Sequence, residues 1–305
     1  MNYLPNWNSG IEELACFSQI KLIVSDIDGT LFKSGNRHEH NKLNRIVKNL
    51  WTKGVHMTFA TGRAFNGVKD IIQTFPITKP TPLILYNGSL VITPSSETIN
   101  FIKIIDNQSL HRLVFLAKKY NILLFPYFIV SNLGNFIKFE EHVYAWGTCK
   151  NKQNEPNGLP VIWNSIINDK MLPVAIILKK PENTDIYNEI VKEIIEINNI
   201  TFTKSSNEYI EIRPHESHKG NALRIICKEL NINKNEVLTI GDNDNDVEML
   251  KFAGVSVAVN NSSVAALKAS KYISREDDVL GVIKTLELIR QAYRYIQIIK
   301  AVKNE

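Results

Sequence analysis

Residues 20–31 read Ile20-Lys21-Leu22-Ile23-Val24-Ser25-Asp26-Ile27-Asp28-Gly29-Thr30-Leu31, an apolar run followed at once by two aspartates. Such a run is typical of a buried parallel strand, and open α/β sheets carry their chemistry at the carboxyl ends of these strands. Side chains two residues apart in an extended backbone leave on the same face, so we expect Asp26 and Asp28 to share one small volume. Two crowded carboxylates favour a bound divalent cation or a retained proton, and therefore a reactive site. A turn with solvated aspartates is the alternative interpretation of this stretch alone.

The composition is that of an ordinary globular chain, with 305 residues, 44% hydrophobic and 22% charged, a length that suits one large or two medium domains. The net charge of +5 is mild and spread along the chain, so nucleic acid is not an expected partner. The apolar runs are too short for a membrane span, and the first ten residues do not resemble a signal peptide. We therefore expect no contact with a membrane. We expect a cytoplasmic location. The three cysteines form no Cys-x-x-Cys pair and are expected to be reduced thiols.

Strands and helices are predicted to alternate at both ends of the chain. In chain order, the elements predicted after the first strand are a helix over 41–53, a strand over 55–60, a helix near 64–74, a strand over 83–86, and then a helix over 218–230, a strand over 236–240, a helix over 247–252 and a strand over 255–259. This β-α-β-α order predicts a doubly wound parallel sheet, that is, an α/β fold.

The middle of the chain has a different pattern. Its predicted elements are a hairpin of residues 127–131 and 135–139 around Leu133-Gly134, helices over 108–120 and 184–198, and strands near 173–178, 200–203 and 209–212. These elements predict an antiparallel α+β module, and the polar stretch 151–160 is expected to be an exposed loop within it. We therefore predict a core domain of residues 1–88 and 214–305, interrupted by a second domain of residues 89–213.

Two further polar stretches lie where a predicted helix begins. Thr61-Gly62-Arg63 follows a strand, and a hydroxyl there can donate to a phosphate oxygen, although a helix N-cap explains Thr61 equally well. Lys219, in His218-Lys219-Gly220, opens a helix, where a cation opposes the macrodipole. It therefore suggests a bound phosphate or clustered carboxylates, a solvated lysine being the commoner explanation for any single case. His218 is expected to fill a hydrogen-bonding niche rather than to act in catalysis.

The last polar stretch, Gly241-Asp242-Asn243-Asp244-Asn245-Asp246, follows the strand predicted over 236–240. Three aspartates within five residues repel one another, so the turn predicts a bound cation. An EF-hand calcium loop needs twelve residues that close on a bidentate glutamate, with glycine at the sixth position, and the stretch has neither feature. Magnesium, which accepts few carboxylates and keeps water and phosphate oxygens as ligands, fits the stretch better.

Taken in order, these four stretches resemble the motifs of the haloacid dehalogenase superfamily. The stretches that carry the resemblance are Asp26-Ile27-Asp28-Gly29-Thr30, Thr61-Gly62-Arg63, Lys219-Gly220 and the aspartate-rich turn at 241–246. Tyr86-Asn87-Gly88 is similar to the end of the strand before the cap in its Cof-type phosphatases. The resemblance implies a Rossmann-like core with an inserted α+β cap over residues 89–213. The long interval between Thr61 and Lys219 has room for that cap, whereas the interval between Asp28 and Thr61 has none.

The resemblance also implies a function, that of a Mg²⁺-dependent phosphatase acting on small phosphorylated metabolites such as sugar phosphates. In this family's mechanism Asp26 attacks phosphorus to form an aspartyl-phosphate, and Asp28 protonates the leaving oxygen and then deprotonates the attacking water. The implied ligands of Mg²⁺ are the Asp26 carboxylate, the Asp28 backbone carbonyl, Asp242 and, directly or through water, Asp246. The residues implied to bind the phosphoryl group are Thr61, Gly62, Lys219 and Asn245.

Three alternative functions are weaker on the sequence. The carbon–halogen hydrolases of the superfamily lack the second aspartate and the metal, and Asp28 is present here. Phosphoryl-transferring mutases usually carry their cap between the first two motifs, where this chain has no room. A catalytically silent binding or regulatory protein on the same fold has no positive support, since every catalytic position holds a competent residue.

The C-terminal segment 278–300 has a helical apolar pattern that is expected to pack on the core sheet. Its residues beyond 292, among them Tyr293, Tyr295 and Ile298, prolong this helix past the usual end of the family. Packing within the same chain is the favoured interpretation of the extension. A contact between copies of the chain is the alternative, because the extension would expose apolar surface on a monomer.

Overall fold

The computed structural model of this chain describes residues 2–5, 11–31, 37–74, 81–131, 139–147, 159–163, 171–204 and 208–303. The chain divides into two compact units. The first unit comprises Met1–Thr61, Asp70–Ile84 and His218–Glu305, and the second comprises Gly62–Lys69 and Leu85–Ser217. Cys149, the predicted Leu133-Gly134 turn and residues 151–158 of the predicted loop lie outside the described residues.

The elements are numbered in chain order. The strands are β1 (Asn2–Tyr3), β2 (Leu22–Ser25), β3 (His56–Phe59), β4 (Leu83–Leu85), β5 (Leu90–Thr93), β6 (Thr98–Ile102), β7 (Leu124–Ser131), β8 (Phe139–Ala145), β9 (Val161–Trp163), β10 (Met171–Lys179), β11 (Ile200–Lys204), β12 (Tyr209–Pro214), β13 (Val237–Gly241), β14 (Val255–Ala258) and β15 (Tyr272–Ile273). The α-helices are α1 (Ile11–Leu14), α2 (Arg37–Trp51), α3 (Lys69–Thr74), α4 (Asn107–Lys119), α5 (Thr184–Ile195), α6 (Lys219–Glu229), α7 (Val247–Phe252), α8 (Val264–Ala269) and α9 (Asp278–Lys303).

The first unit is built on a parallel sheet with the strand order β1-β15-β14-β13-β2-β3. Its central strands β2 and β13 are buried along their whole length, which explains why they read as apolar runs in the sequence. From β2 the chain passes through α2 to β3, which lies next to β2 towards one edge of the sheet. From β13 it passes through α7 to β14, which lies next to β13 towards the opposite edge. Since the strand order reverses between β2 and β13, the predicted doubly wound α/β fold is confirmed.

Helices α2 and α9 pack against each other in the first unit. Their facing apolar residues, including Leu43, Val47 and Leu286, are buried, and Lys42 pairs with Glu287 at 2.8 Å. The helix predicted over 41–53 begins earlier, at Arg37, and the predicted C-terminal helix extends to Lys303. The short elements α8 and β15 follow β14 and were not predicted, because six and two residues carry too little periodicity to be recognised.

The second unit contains a mixed sheet with the strand order β11-β12-β10-β7-β8-β9. Its neighbours pair antiparallel except β8 and β9, which run parallel. Helices α4 and α5 contribute buried residues such as Leu113 and Ile190 to one apolar core with Phe128, Ile176 and Ile212 of the sheet. Since side chains alternate along a strand, residues such as Glu141 and Glu211 lie on the opposite face.

The same unit contains a smaller element that the sequence pattern did not reveal, the antiparallel pair of β5 and β6. The predicted antiparallel character of the middle segment is otherwise present in the strand pairings. Across both units, none of the helices that the structure describes is long and apolar enough to span a lipid bilayer.

Candidate active site

The predicted site residues of the first unit follow three neighbouring parallel strands. Asp26 comes directly after β2, Asp242 directly after β13 and Thr61 two residues after β3. The backbone pairing continues into this region, because the Asp26 amide donates to the Ile240 carbonyl at 2.9 Å and the Ala60 amide to the Ser25 carbonyl at 2.9 Å. The residues thus lie at the carboxyl edge of the sheet, beside the point where the strand order reverses, which is where open α/β sheets bind ligands.

Three carboxylates converge at this edge. Asp26, Asp242 and Asp246 each offer one oxygen, and these oxygens lie within 4.8 Å of one another. Burial raises the pKa of Asp26 well above its usual value, against the opposing effect of the Lys219 ammonium. Burial likewise raises the pKa of Asp242 to about 6. The three carboxylates are therefore crowded, although not in the pairings that the sequence predicted, and they concentrate unfavourable negative charge in a poorly solvated place.

Lys219 compensates part of this charge. Its side chain is fully buried, and its ammonium donates to Asp26 Oδ1 at 2.5 Å and to Asp246 Oδ1 at 2.6 Å. Burial acts to lower the pKa of Lys219, but the two carboxylates outweigh burial and hold it above its usual value. Of the explanations for a cation at the start of α6, the structure excludes a solvated lysine and shows the clustered carboxylates.

The turn after β13 is held together by its own polar groups. Asp246 Oδ2 accepts the backbone amides of Asp242 at 2.9 Å and Asn243 at 3.0 Å. Asp242 Oδ1 accepts the Thr30 hydroxyl at 2.8 Å, a contact that the sequence did not predict although Thr30 lies in the first motif. Asp244 is exposed and accepts the Ser263 hydroxyl at 2.6 Å, so it lies outside the carboxylate cluster.

Asp28 differs from Asp26 in its exposure to solvent. The Asp28 side chain is exposed and is not part of the three-carboxylate cluster. The reason is that the backbone leaves the extended conformation after β2, as shown by the Leu31 amide donating to the Ile27 carbonyl at 2.8 Å. Alternation of side chains applies only while a strand continues, and the carboxylates that cluster with Asp26 come from the turn after β13.

Thr61 and Gly62 are consecutive residues that belong to different units. Thr61 is buried at the end of the first segment of the first unit, and its amide donates to the Ile84 carbonyl at 2.9 Å. Gly62 begins the second unit, where a Cβ in its place would lie 2.9 Å from Asn87 Nδ2. Arg63 donates to the Gly67 carbonyl at 3.1 Å, which is a bracing role within its own turn.

Two other motif residues lie next to the carboxylate cluster in sequence. Asn245 is partly buried in the turn beside Asp246. His218 is the N-cap of α6, and its Nδ1 accepts the Asn221 amide at 3.2 Å. The cap fills a hydrogen-bonding niche, as expected from the sequence.

The carboxylate cluster is chemically suited to a divalent cation. Carboxylate oxygens are hard ligands of the kind that Mg²⁺ and Ca²⁺ prefer. When all three carboxylates are ionised, their charge exceeds the single charge of Lys219, and a cation would neutralise the excess. Asp26, Asp242 and Asp246 therefore form a group that could bind metal.

Comparisons with known proteins agree with this geometry. The model of the haloacid dehalogenase-like hydrolase family matches residues 23–286. YxeH of Bacillus subtilis, provisionally named a phosphatase, is 28% identical over 278 residues, which cover 86% of this chain and 95% of YxeH. YcsE of the same organism, named a 5-amino-6-(5-phospho-D-ribitylamino)uracil phosphatase, is 24% identical over 273 residues, covering 88% of this chain and 94% of YcsE.

Solved structures show the same fold. A haloacid dehalogenase-like hydrolase from Bacteroides thetaiotaomicron matches with a TM-score of 0.71 and 22% identity, covering 88% of this chain and 99% of that chain. A HAD/COF-like hydrolase from Plasmodium vivax matches with a TM-score of 0.70 and 19% identity, covering 94% of this chain and all (100%) of that chain. The superfamily resemblance carried by the four motifs is thereby confirmed.

Proposed function

Because this chain belongs to the haloacid dehalogenase-like hydrolase family, whose relatives here are named phosphatases, we propose that it is a Mg²⁺-dependent phosphatase acting through an aspartyl-phosphate. Its substrates are small phosphorylated metabolites, sugar phosphates among them. The observation that carries the proposal is the cluster of Asp26, Asp242 and Asp246 around the buried ammonium of Lys219. A cluster of this kind disfavours a stable core and suits a site that handles phosphate and metal.

Asp26 is the nucleophile in this proposal. Its carboxylate oxygen forms a bond to phosphorus while the bond from phosphorus to the leaving oxygen breaks. The ammonium of Lys219 opposes the effect of burial on Asp26 and favours the ionised form that attacks. Water then attacks phosphorus in the second step, which releases inorganic phosphate and restores the Asp26 carboxylate.

Asp28 is the general acid and base. It donates a proton to the leaving oxygen in the first step and removes one from the attacking water in the second. Its exposed side chain supports this role, because a proton carrier must reach the leaving group and exchange with solvent. The exposed Asp28 and the buried Asp26 thus divide the work between two carboxylates in different environments.

Mg²⁺, when bound, supplies positive charge that neutralises the phosphoryl oxygens. The residues that would hold it are the carboxylates of Asp26, Asp242 and Asp246 and the backbone carbonyl of Asp28. The Thr30 hydroxyl orients Asp242 through its hydrogen bond to Oδ1. The residues that would hold the phosphoryl group are Thr61, Gly62, Lys219 and Asn245.

Residues 89–213 act as a cap that selects the leaving group. The interrupted core and the separate sheet of the second unit support this assignment. The name of YcsE identifies a phosphorylated ribitylamino-uracil as that protein's substrate, which supports a small phosphorylated metabolite here.

The proposal is tested by phosphate release from p-nitrophenyl phosphate and a panel of phosphorylated metabolites. We expect release with Mg²⁺, none with EDTA, and recovery when Mg²⁺ is restored. Asp26→Asn is expected to abolish turnover while keeping the circular dichroism spectrum, and residual activity within about tenfold of the wild type would reject the nucleophile. Phosphate transfer to a second metabolite instead of water would identify a mutase, and no turnover on any substrate would favour a silent binding protein.

A further inference from the structure

The turn that follows Thr61 is held by a carboxylate distant in sequence. Residues 62–66 belong to the second unit, and there Glu141 of β8 contacts them directly. Glu141 Oε1 accepts the Phe65 amide at 2.6 Å, and Oε2 accepts the Asn66 amide at 2.8 Å. The Tyr86 hydroxyl donates to Oε1 of the same carboxylate at 2.7 Å. Both oxygens are therefore used, and two consecutive amides of the turn are fixed by one ionisable group.

A second carboxylate of the same unit acts on the beginning of the turn through one intermediary. Asn87 Nδ2 donates to Glu211 Oε1 at 2.7 Å, and the Asn87 side chain lies against Gly62. The guanidinium of Arg213 lies 4.0 Å from the same Glu211 oxygen. Glu211 thus holds the Asn87 amide at the place where any Cβ on Gly62 would collide with it.

The backbone at this corner is strained. Tyr86 and Asn87 are consecutive non-glycine residues with φ of 48° and 51°, which lies in the left-handed region. The Tyr86 amide donates to the Arg63 carbonyl at 3.3 Å. Strained conformations of this kind cost free energy and persist where the surroundings fix them, and they cluster at functional sites. The hydrogen bonds of Glu141 and Glu211 to these two side chains supply such surroundings.

We propose that Glu141 and Glu211 are positioning residues that fix the turn at 62–66 and thereby hold Thr61 in place to bind phosphate. The inference rests on the proposed function, because phosphate binding by Thr61 is part of it. It goes further by assigning a role to two residues of the 89–213 segment that act on phosphate binding through the backbone of the turn. Misplacement of a binding group by about 1 Å can cost a hundredfold in rate, so the position of this turn matters.

The variants Glu141→Gln and Glu211→Gln test the proposal at nearly constant side-chain size. A glutamine at 141 has one acceptor oxygen, and its NH₂ group would face a backbone amide, donor against donor. Glu140→Gln is the matched control, since Glu140 is the neighbouring residue of β8, points to the other face and lies 3.5 Å from His142. The measurements are the dissociation constant for inorganic phosphate by calorimetry, KM and kcat for p-nitrophenyl phosphate, the Mg²⁺ activation constant and Tm.

For Glu141→Gln we expect weaker phosphate binding and a higher KM, by about tenfold to a hundredfold, with the Mg²⁺ activation constant changed by less than about twofold. Glu211→Gln is expected to change the same quantities in the same direction, and the control is expected to match the wild type. Phosphate binding within about twofold of the wild type in both variants would overturn the proposal. An equal loss of phosphate and Mg²⁺ response would also overturn it, because it would indicate general loss of structure.

Tyr86→Phe keeps the proposal falsifiable if Glu141→Gln does not fold. It removes one of the hydrogen bonds to Glu141 described above and is expected to weaken phosphate binding by a smaller factor. Unchanged phosphate binding in Tyr86→Phe, with Glu211→Gln also unchanged, would count against the proposal. Failure of the proposed function is distinguishable: a wild type that binds phosphate but hydrolyses no substrate rejects the phosphatase, while the binding measurements still decide the roles of Glu141 and Glu211.

Discussion

At the scale of single residues, the site is a balance between three carboxylates and one buried ammonium. Lys219 is in contact with Asp26 and Asp246, and all three side chains are buried. Ion pairs of this kind are expensive to desolvate, and the interaction compensates the cost only while both partners are present. Each member of the cluster is therefore expected to influence the others through charge as well as through shape.

Replacing Lys219 tests this balance directly. Lys219→Met leaves the two buried carboxylates without their cation, so we expect the free energy of unfolding to fall by about 3–5 kcal/mol without Mg²⁺. The measurement is urea denaturation. Lys251→Met is the control, because Lys251 pairs with Glu248 at 3.0 Å on the surface, where such pairs are worth about 0–1 kcal/mol. Equal losses in the two variants would contradict a compensating role for Lys219.

The two aspartates of the turn after β13 should respond differently to substitution. Asp242 belongs to the carboxylate cluster, whereas Asp244 is exposed and bonded to Ser263. Asp242→Ala is expected to raise the Mg²⁺ concentration for half-maximal activity by about tenfold or more, and Asp244→Ala to change it little. Titration of activity with Mg²⁺ gives both values. Similar shifts in the two variants would mean that the ligands are wrongly assigned.

Metal binding should also depend on pH. The pKa of Asp242 is raised to about 6 in the folded protein. The Asp242 carboxyl therefore keeps its proton at pH values where the same group in the unfolded chain has lost it. The stabilisation from that proton is complete below the usual pKa of 3.8 and is lost as the pH rises through about 6. A carboxylate binds metal in its ionised form, so the affinity for Mg²⁺ is expected to fall as the pH drops below about 6. Calorimetric titration at pH 5 and pH 7 measures the change, and equal affinities would contradict it.

At the scale of elements, the sequence could predict the site residues that directly follow buried strands. The apolar runs before Asp26 and Asp242 predicted strands β2 and β13, and the predicted ends lie within two residues of the observed ones. The alternation rule does not extend to Asp28, because the strand ends at Ser25, and the Asp28 side chain is exposed whereas Asp26 is buried. The helix predicted near 64–74 starts as a 3₁₀ turn at Asn66–Val68 and becomes α-helical only at Lys69, a boundary shift that local propensity does not reveal.

The turn after β2 offers an element-scale test with a built-in control. Gly29 has φ of +85°, and a Cβ there would collide with the Asp242 carboxylate, whereas Gly54 has φ of +79° and open space around it. Gly29→Ala and Gly54→Ala are both expected to lose about 1 kcal/mol of stability from backbone strain. Only Gly29→Ala should also weaken Mg²⁺ binding, because it displaces Asp242. Equal Mg²⁺ affinities in the two variants would show that the contact with Asp242 is unimportant.

At the scale of the whole molecule, the contacts hardest to foresee are those between segments far apart in sequence. The sequence predicted an inserted second domain from the pattern of predicted elements and the motif spacing, but not that residues 62–69 belong to the same compact unit as residues 85–217. The pairs that join them, such as Glu141 with Phe65 and Asn66, involve no local pattern, and a single glutamate in a strand gives no signal of its partner. Lys219 could be recognised in the sequence as a candidate site residue only because its charge opposes the dipole of its own helix.

The C-terminal helix provides the last test at this scale. The extension beyond residue 292 is anchored to its own unit, because the Tyr293 hydroxyl donates to the Ile20 carbonyl at 2.6 Å and Ala292 is buried. Tyr295 and Ile298 of the same helix remain 38% and 52% exposed, which keeps a contact between copies as the competing interpretation.

Deleting residues 292–305 distinguishes these two interpretations. Loss of intramolecular packing is expected to lower Tm by about 4 °C or more, since 1 kcal/mol corresponds to about 2–4 °C in domains of 150–250 residues. Light scattering should give a monomeric mass before and after the deletion. A truncation that removes only residues 304 and 305 is the control and should leave Tm unchanged. A dimeric wild type that becomes monomeric on deletion would instead identify the exposed Tyr295 and Ile298 as part of a contact between two copies, because burying them would then stabilise the assembly.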